Sequence, residues 1–148
     1  MPLEQVQEPR TIRIIFVCVE NSCRSQIAEA FARLHGSGTV EARSAGSRPS
    51  GKVHPGAVAT MNEIGYDLSS HRSKSLAEVS DIDYDMAVKM GCGDECPFIS
   101  AREFEEWDIP DPKNLGPDEF RRVRDLIETR VKRLLIRLQA DSAALFGS

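Results

Sequence analysis

The sequence lacks the features that mark membrane-spanning, secreted and nucleic-acid-binding proteins. Its 148 residues contain no apolar run near the roughly 18 residues that a membrane span requires. The net charge is −4, so the chain as a whole does not attract nucleic acid or an anionic membrane. The polar start, Met1–Arg10, does not have the pattern of a secretory signal. We therefore expect a cytoplasmic protein without nucleic-acid or membrane partners.

Signs of a metal centre or of a second domain are also missing. The 3 histidines are scattered, and none is spaced as a metal ligand relative to another. No internal repeat occurs, and a chain of this length fits one domain. We expect a monomer with no bound metal or cofactor. It is predicted to have a flexible N-terminal extension over 1–10, a single catalytic domain over 11–138 and a frayed tail over 139–148.

Apolar runs alternate with amphipathic helical patterns along the chain. Strands are predicted over Ile12–Val17, Thr39–Ser44, Met86–Met90 and Phe104–Ile109. Helices are predicted over Gln26–His35, Pro55–Ile64 and Pro117–Leu138, with a short helical turn at Ser75–Val79. This alternation predicts a three-layer α/β fold, a four-stranded parallel sheet with helices on both faces.

The first strand ends in a cysteine, and an arginine follows five residues later at the start of a helix. Backbone N–H groups of such a loop and helix N-terminus point at a bound anion. Arg24 can hold two oxygens of a tetrahedral anion, and the positive field stabilises the thiolate of Cys18. The sequence therefore predicts an oxyanion site with Cys18 as nucleophile.

The loop residues expected to support it are Val19, Glu20, Asn21, Ser22, Cys23 and Ser25. Asn21 suits a left-handed turn, Ser25 can hydrogen-bond the thiolate, and Cys23 is interpreted as structural or incidental.

Two further cysteines, Cys92 and Cys96, lie in a segment rich in glycine, Gly91–Pro97, which is predicted to be a mobile loop. Positions four apart in a helical turn have Cα atoms about 6 Å apart, within the range of a disulfide. Redox use is favoured over two unrelated buried thiols. A zinc site of all four cysteines would consume the oxyanion loop and lacks the usual Cys-x2-Cys pair.

A carboxyl group for acid catalysis is expected near the end of the fourth strand. Asp111 lies between Pro110 and Pro112, whose rings restrict the backbone on both sides. Such a fixed carboxyl could protonate a leaving oxygen. Asp108 is the rival position. Because ligands of parallel α/β folds bind at the carboxyl ends of strands, we expect Cys18, Cys92 and Asp111 to meet at one edge of the sheet.

These motifs resemble the low-molecular-weight tyrosine phosphatase fold and, more narrowly, its thioredoxin-coupled arsenate reductases. The likeness covers roughly residues 12–138. It is carried by Cys18–Ser25, the helix that follows, Ser44-Ala45-Gly46, His54-Pro55, Gly65–His71, the Cys92/Cys96 loop, Trp107–Pro112 and the helix from Phe120. The Cys-x5-Arg-Ser loop specifies only the superfamily, whereas the added cysteine pair specifies the reductase.

The resemblance implies reduction of arsenate to arsenite, an arsenic detoxification, by a relay of three thiols. Cys18 attacks arsenic while Asp111 assists the loss of water or hydroxide, and Cys92 then attacks Cys18 as arsenite leaves. Cys96 attacks Cys92, and thioredoxin or a similar thiol donor reduces the resulting disulfide. Arg24 binds the oxyanion throughout.

The sequence departs from the reductase pattern at two places. The gap between Cys92 and Cys96 is shorter than in better-known members. Lys74 stands near the position of an acidic residue that helps to bind potassium, so we expect its ammonium to replace that cation and remove any potassium requirement.

Three other functions remain open. The main alternative is a phosphotyrosine phosphatase with a phosphocysteine intermediate, which needs no second or third cysteine. Tyrosine phosphatases tend to carry an aromatic residue after the Asp-Pro pair, where this chain has Lys113. Reduction by a low-molecular-weight thiol would leave Cys96 without a role. A non-catalytic oxyanion-binding module would not need Cys18.

Overall fold

Four strands and three α-helices alternate along the part of the chain that the structure, a computed structural model, describes. That part comprises residues 11–36, 38–91 and 99–146, with side chains through 141. The elements are β1 (Ile12–Cys18), α1 (Arg24–Gly36), β2 (Val40–Gly46), α2 (Pro55–Asn62), β3 (Tyr84–Lys89), β4 (Ala101–Glu106) and α3 (Pro117–Phe146). Short 3-10 helices occupy Leu68–Ser70 and Leu76–Val79.

The four strands form one parallel sheet in the order β2-β1-β3-β4. β1 lies in the interior, where its last residue, Cys18, is paired with Gly46 of β2. The chain leaves β1 towards β2 on one side and later returns to β3 on the other. Such a reversal of strand order opens a crevice at the carboxyl ends of the strands, and the loop after β1 begins there.

Side chains of β1 face two different apolar layers, because successive residues of a strand point to opposite faces. Ile14 and Phe16 belong to a buried cluster with the three α-helices. Ile15 and Val17 pack with Val79 of the second 3-10 helix. The predicted fold class, a four-stranded parallel sheet with helices on both faces, is therefore confirmed.

Helix α3 is longer than predicted. Its expected apolar face is buried: Phe120, Val123, Ile127, Val131, Leu134 and Leu138 all lie in the core. The predicted end at Leu138 is wrong, because the helix continues to Phe146. Gln139 contributes to this continuation, since its Nε2 donates to Thr39 Oγ1 at 3.1 Å.

Strand β4 lies three residues earlier in the chain than predicted, at Ala101–Glu106 rather than Phe104–Ile109. It is the edge strand of the sheet and pairs only with β3 among the described strands. Edge strands tolerate charged residues. Because β4 contains several glutamates, it has no apolar run by which a strand could be predicted. Phe104, which the prediction placed at the strand start, is 47% exposed.

Within the described ranges, no helix is long and apolar enough to cross a membrane.

Candidate active site

The loop between β1 and α1 has a backbone shape that two residues make possible. Asn21 has φ 52°, the left-handed conformation that asparagine adopts more readily than most residues. Gly46 lies against the loop, and a Cβ added there would come within 2.5 Å of the Val19 carbonyl oxygen. The loop therefore passes over the end of β2 only because that position is glycine.

The sulfur of Cys18 accepts hydrogen bonds from this loop and from the start of α1. The backbone N–H of Asn21 donates to Sγ at 3.3 Å, and Ser25 Oγ lies 2.8 Å from Sγ. Asn21 Nδ2 donates to Ser25 Oγ at 2.8 Å, which leaves the serine hydroxyl hydrogen free to point at the sulfur. Two hydrogen-bond donors of the loop and of α1 therefore point at the Cys18 sulfur.

A buried row of side chains continues these hydrogen bonds away from the sulfur. Gln26 Nε2 donates to Asn21 Oδ1 at 2.9 Å, and Gln26 Oε1 lies 3.0 Å from His71 Nδ1. The glutamine oxygen must accept, so His71 Nδ1 carries a hydrogen and its Nε2 accepts from the Tyr66 hydroxyl at 2.7 Å. Burial lowers the pKa of His71, which agrees with this neutral form. The hydrogen bonds from Tyr66 through His71, Gln26, Asn21 and Ser25 thus form a chain that ends at Cys18, and Gln26 Nε2 donates in addition to the Arg72 carbonyl at 2.9 Å.

Arg24 connects the oxyanion loop to the segment that follows β4. Its Nη1 donates to the Ile109 carbonyl at 3.0 Å, and its Nη2 lies 3.6 Å from Asp111 Oδ2. The guanidinium also packs on Gly91, where an added Cβ would come within 2.5 Å of Nη1. Gly91 has φ 84°, so both its backbone and its contact with Arg24 favour glycine.

These elements enclose an open cavity of about 290 Å³ at the carboxyl edge of the sheet. The residues that line it come from the loop, from the β2–α2 connection and from the ends of β3 and β4: Cys18, Val19, Glu20, Ser22, Cys23, Arg24, Arg48, Gly91, Asp111 and Lys113. Asp108 does not line the cavity and is exposed. The structure therefore brings Cys18, Arg24 and Asp111 together as expected, and it places the rival Asp108 elsewhere.

Cys23 differs from Cys18 in its surroundings. Its side chain is buried, and burial raises the pKa of its thiol to about 12. At neutral pH this thiol is protonated and therefore a poor nucleophile. Its nearest side-chain partner is the Ser22 hydroxyl, which donates to Sγ at 3.8 Å.

His54 fastens the segment of Asp111 to the oxyanion loop. Its backbone N–H donates to the Ser22 carbonyl at 2.9 Å, and its Nδ1 accepts from the Gly56 N–H at the start of α2. Its Nε2 therefore carries the hydrogen and donates to the Lys113 carbonyl at 3.0 Å. One histidine thus connects the two sides of the cavity, through its backbone N–H to the loop and through its ring to Lys113.

A buried carboxylate lies behind the loop. Glu29 is 1% exposed and accepts from the Ser44 hydroxyl at 2.5 Å and from Arg33. Lys74 Nζ lies 3.7 Å from Glu29 Oε1 and donates to the Arg72 carbonyl at 3.0 Å. Burial lowers the pKa of Lys74, while Glu29 opposes that change. The Lys74 backbone N–H donates to Asn21 Oδ1, so this ammonium sits directly behind the loop.

Two predicted site residues, Cys92 and Cys96, lie outside the described residues, as does most of the predicted 91–97 loop. Over the part of the chain that the structure does describe, no three His, Cys, Asp or Glu side chains are grouped as metal ligands.

Sequence reasoning missed several residues of the site. Arg48 and Lys113 line the cavity, and Gln26 and His71 belong to the buried row. Lys113 is two residues from Asp111, and this closeness in sequence could have indicated that it lies at the same site. Gln26 directly follows Ser25 at the start of α1, so its place beside the loop is also a local feature of the sequence. Arg48 and His71 come from segments that only the tertiary fold brings to the loop.

The comparisons with known proteins agree with this geometry. The family model for low molecular weight phosphotyrosine protein phosphatase matches residues 13–144. The glutaredoxin arsenate reductase of Synechocystis is 37% identical over 129 residues, which cover 85% of this chain and 98% of that protein. A solved arsenate reductase in the phosphate binding state has a TM-score of 0.79 and 37% identity, covering 86% of this chain and 98% of that one. The solved thioredoxin-dependent arsenate reductase of Corynebacterium glutamicum has a TM-score of 0.73 and 29% identity, and the match covers 89% of this chain and 63% of that one. The chain belongs to the low molecular weight phosphotyrosine protein phosphatase family.

Proposed function

We propose that this protein is an arsenate reductase, which reduces arsenate to arsenite as an arsenic detoxification enzyme. The observation that carries the proposal is the hydrogen-bonded sulfur of Cys18 in a loop that shares one cavity with Arg24 and Asp111. Relatives that match almost their whole length are named arsenate reductases, which supports arsenate as the substrate rather than a phosphate ester.

The first step is attack of the Cys18 thiolate on arsenic. Loop N–H groups and Arg24 hold the other oxygens of the anion, and the Ser25 hydroxyl stabilises the thiolate until it attacks. An As–S bond forms and an As–O bond breaks. Asp111 donates the proton that lets the departing oxygen leave as water, which is general acid catalysis.

The second and third steps move two electrons to arsenic and regenerate the nucleophile. Cys92 attacks Cys18 Sγ, an S–S bond forms, and the electron pair of the As–S bond stays on arsenic as As(III). Cys96 then attacks Cys92, which frees the Cys18 thiolate and leaves a Cys92–Cys96 disulfide. No bound metal or cofactor takes part in this scheme.

The disulfide needs an external dithiol, and we propose thioredoxin for that role. The names of the relatives divide on this point, because the Synechocystis protein is a glutaredoxin arsenate reductase and the Corynebacterium protein is thioredoxin-dependent. A disulfide within one chain can be reduced by a dithiol protein through simple exchange, whereas a glutaredoxin route can use glutathione in place of Cys96.

The test is arsenate-dependent NADPH oxidation, measured separately with thioredoxin and its reductase and with glutaredoxin, glutathione and glutathione reductase. The proteins compared are the wild type, Cys18→Ser, Cys92→Ser and Cys96→Ser. Cys23→Ser is the matched control, because its thiol belongs to the same loop but has no place in the relay.

The relay requires all three substitutions to stop turnover with thioredoxin while Cys23→Ser remains active. Normal thioredoxin-supported turnover by Cys96→Ser would contradict the intramolecular relay. Activity of Cys96→Ser with the glutaredoxin system alone would instead assign the electrons to glutathione.

A phosphotyrosine phosphatase is the second candidate, because the matching family carries that description, although the names of the relatives give it less support. It needs Cys18, Arg24 and Asp111 but neither Cys92 nor Cys96. Hydrolysis of p-nitrophenyl phosphate far faster than arsenate reduction, unchanged in Cys92→Ser, would favour this alternative.

A further inference from the structure

A carboxylate occupies an unexpected place in the oxyanion loop. Glu20 belongs to the loop between β1 and α1 and lines the same cavity as Cys18. A negative side chain there repels the anion that the loop is built to bind. Glu20 Oε2 accepts a hydrogen bond from Lys113 Nζ at 2.7 Å, and both side chains are a little over one-third exposed, at 38% and 37%. The ion pair therefore lies at the rim of the cavity.

Lys113 is held in position by its backbone. Its N–H donates to Asp111 Oδ1 at 3.1 Å, and its carbonyl accepts from His54 Nε2 at 3.0 Å. The side chain extends from this fixed point to Glu20 on the loop. The ion pair with Glu20 therefore joins the oxyanion loop to the Asp111 segment at the rim of the cavity.

Two ion pairs cross these segments among the described residues that line the cavity. Asp111 faces Arg24 at 3.6 Å, and Glu20 faces Lys113 at 2.7 Å. Arg48 adds a third cation to the lining. Without Lys113, Glu20 would lose the ammonium that it contacts at 2.7 Å, and a dianion would enter past a carboxylate that lacks this partner.

We propose that Glu20 and Lys113 together set the charge of the oxyanion cavity: Lys113 is a specificity-determining cation for a doubly charged inorganic oxyanion, and Glu20 limits its pull on that anion. The inference deepens the proposed function, on which it rests for arsenate as substrate, but the binding of inorganic phosphate tests it without any turnover.

The two side chains must then have opposite effects on anion affinity. Removing the charge of Glu20 releases the Lys113 ammonium towards the anion, so binding tightens. Removing the charge of Lys113 leaves the Glu20 carboxylate facing the anion, so binding weakens. Because both groups are partly solvated, each change is expected to be about three- to tenfold.

The experiment measures the Kd of inorganic phosphate by calorimetry at pH 7.5 for the reduced wild type, Glu20→Gln, Lys113→Met and the double variant. Arg137→Met is the control, because Arg137 also loses an ion pair, to Glu105 at 2.8 Å, but lines none of this cavity. We expect a lower Kd in Glu20→Gln, a higher Kd in Lys113→Met, and values near the wild type in the double variant and the control.

Two results would overturn the proposal. If both single variants bind phosphate more weakly, the ion pair only fastens the loop to the Asp111 segment. If neither changes the Kd, the pair is a solvated rim contact without influence on the anion. Opposite shifts in a protein that fails to reduce arsenate would support the charge assignment and reject the reductase function separately.

Discussion

Ser25 Oγ lies 2.8 Å from Cys18 Sγ, and its own oxygen accepts from Asn21 Nδ2. The asparagine occupies the acceptor side of the hydroxyl, so the serine hydrogen is directed at the sulfur. In the proposed mechanism Cys18 attacks as a thiolate, and a hydrogen bond to a thiolate is charge-assisted and stronger than a neutral one. We therefore propose that the serine acts on the nucleophile rather than on the anion.

Ser25→Ala should slow the attack of Cys18 while leaving the bound anion in place. A hydrogen bond to a charged group contributes about 1.5–3 kcal/mol, which corresponds to a loss of roughly 10- to 100-fold in kcat/KM. We expect this loss with p-nitrophenyl phosphate and with arsenate, measured by steady-state kinetics. Ser25→Thr keeps a hydroxyl and should recover part of the rate. A large rise in the Kd of inorganic phosphate in Ser25→Ala would instead assign the serine to anion binding.

The oxyanion loop could be predicted because its parts are adjacent in sequence. An apolar run, a cysteine, an arginine five positions later and a helical pattern are local signals, and the strand–loop–helix unit that carries Cys18 and Arg24 is fixed by them. The left-handed φ of Asn21 follows from the same stretch. The sequence narrowed the candidates for the catalytic acid to two aspartates, Asp111 and Asp108, and the prolines around Asp111 favoured it. The choice between them comes from the structure, in which Asp111 lies 3.6 Å from Arg24.

Other parts of the site could not be predicted, because tertiary packing brings them together. Arg48 and His71 have no local pattern that marks them as neighbours of Cys18. The bounds of strand β4 were predicted wrongly for a related reason. Its glutamates suit the edge of a sheet. Which strand lies at the edge is known only once the sheet is assembled. The part of α3 beyond its predicted end includes a contact of Gln139 with Thr39, a hundred residues earlier in the chain.

Asp111→Asn should impair the step in which an oxygen leaves. General acid catalysis contributes about 10²- to 10⁴-fold, and it matters most for leaving groups that are strong bases. We expect the arsenate reaction and the hydrolysis of alkyl phosphates to lose this factor, whereas p-nitrophenyl phosphate, whose leaving group needs little protonation, should lose less. Asp108→Asn is the matched control and should leave all three rates unchanged. Equal losses for every leaving group would mean that Asp111 acts only through Arg24.

Lys74 should make the protein indifferent to potassium. Its ammonium lies 3.7 Å from the buried Glu29 carboxylate, where a cation is required. Turnover measured in potassium chloride and in sodium chloride at equal ionic strength is expected to be the same. Rates several-fold higher in potassium would show that Lys74 does not replace a bound cation.

Lys74→Met should destabilise the fold, because Glu29 then keeps Arg33 but loses a second cation. Leaving a buried carboxylate short of a partner costs about 1–3 kcal/mol in the free energy of unfolding, measured by urea denaturation. Lys132→Met is the control, since Lys132 lies 3.7 Å from Glu128 on the surface of α3. That change should stay within about 0.5 kcal/mol. Equal stabilities of the two variants would refute a role for Lys74 beside Glu29.

His71 should make the protein less stable in mild acid. Burial lowers the pKa of His71 below the ordinary value of 6.5, so the unfolded chain binds a proton at this position more readily than the native protein. The free energy of unfolding is therefore highest above pH 6.5 and falls as the pH drops below it. The contact with Gln26 requires Nδ1 to donate, and the Tyr66 hydroxyl donates to Nε2, so a second proton on the ring would displace the tyrosine contact.

Urea denaturation at pH 7.5 and at pH 5.5 measures this effect. We expect the free energy of unfolding to differ less between the two pH values in His71→Gln than in the wild type. His35→Gln is the comparison, because His35 Nε2 lies 2.9 Å from Glu128 in a half-exposed site and does not share the buried row. An unchanged pH difference in His71→Gln would place the acid sensitivity elsewhere in the fold.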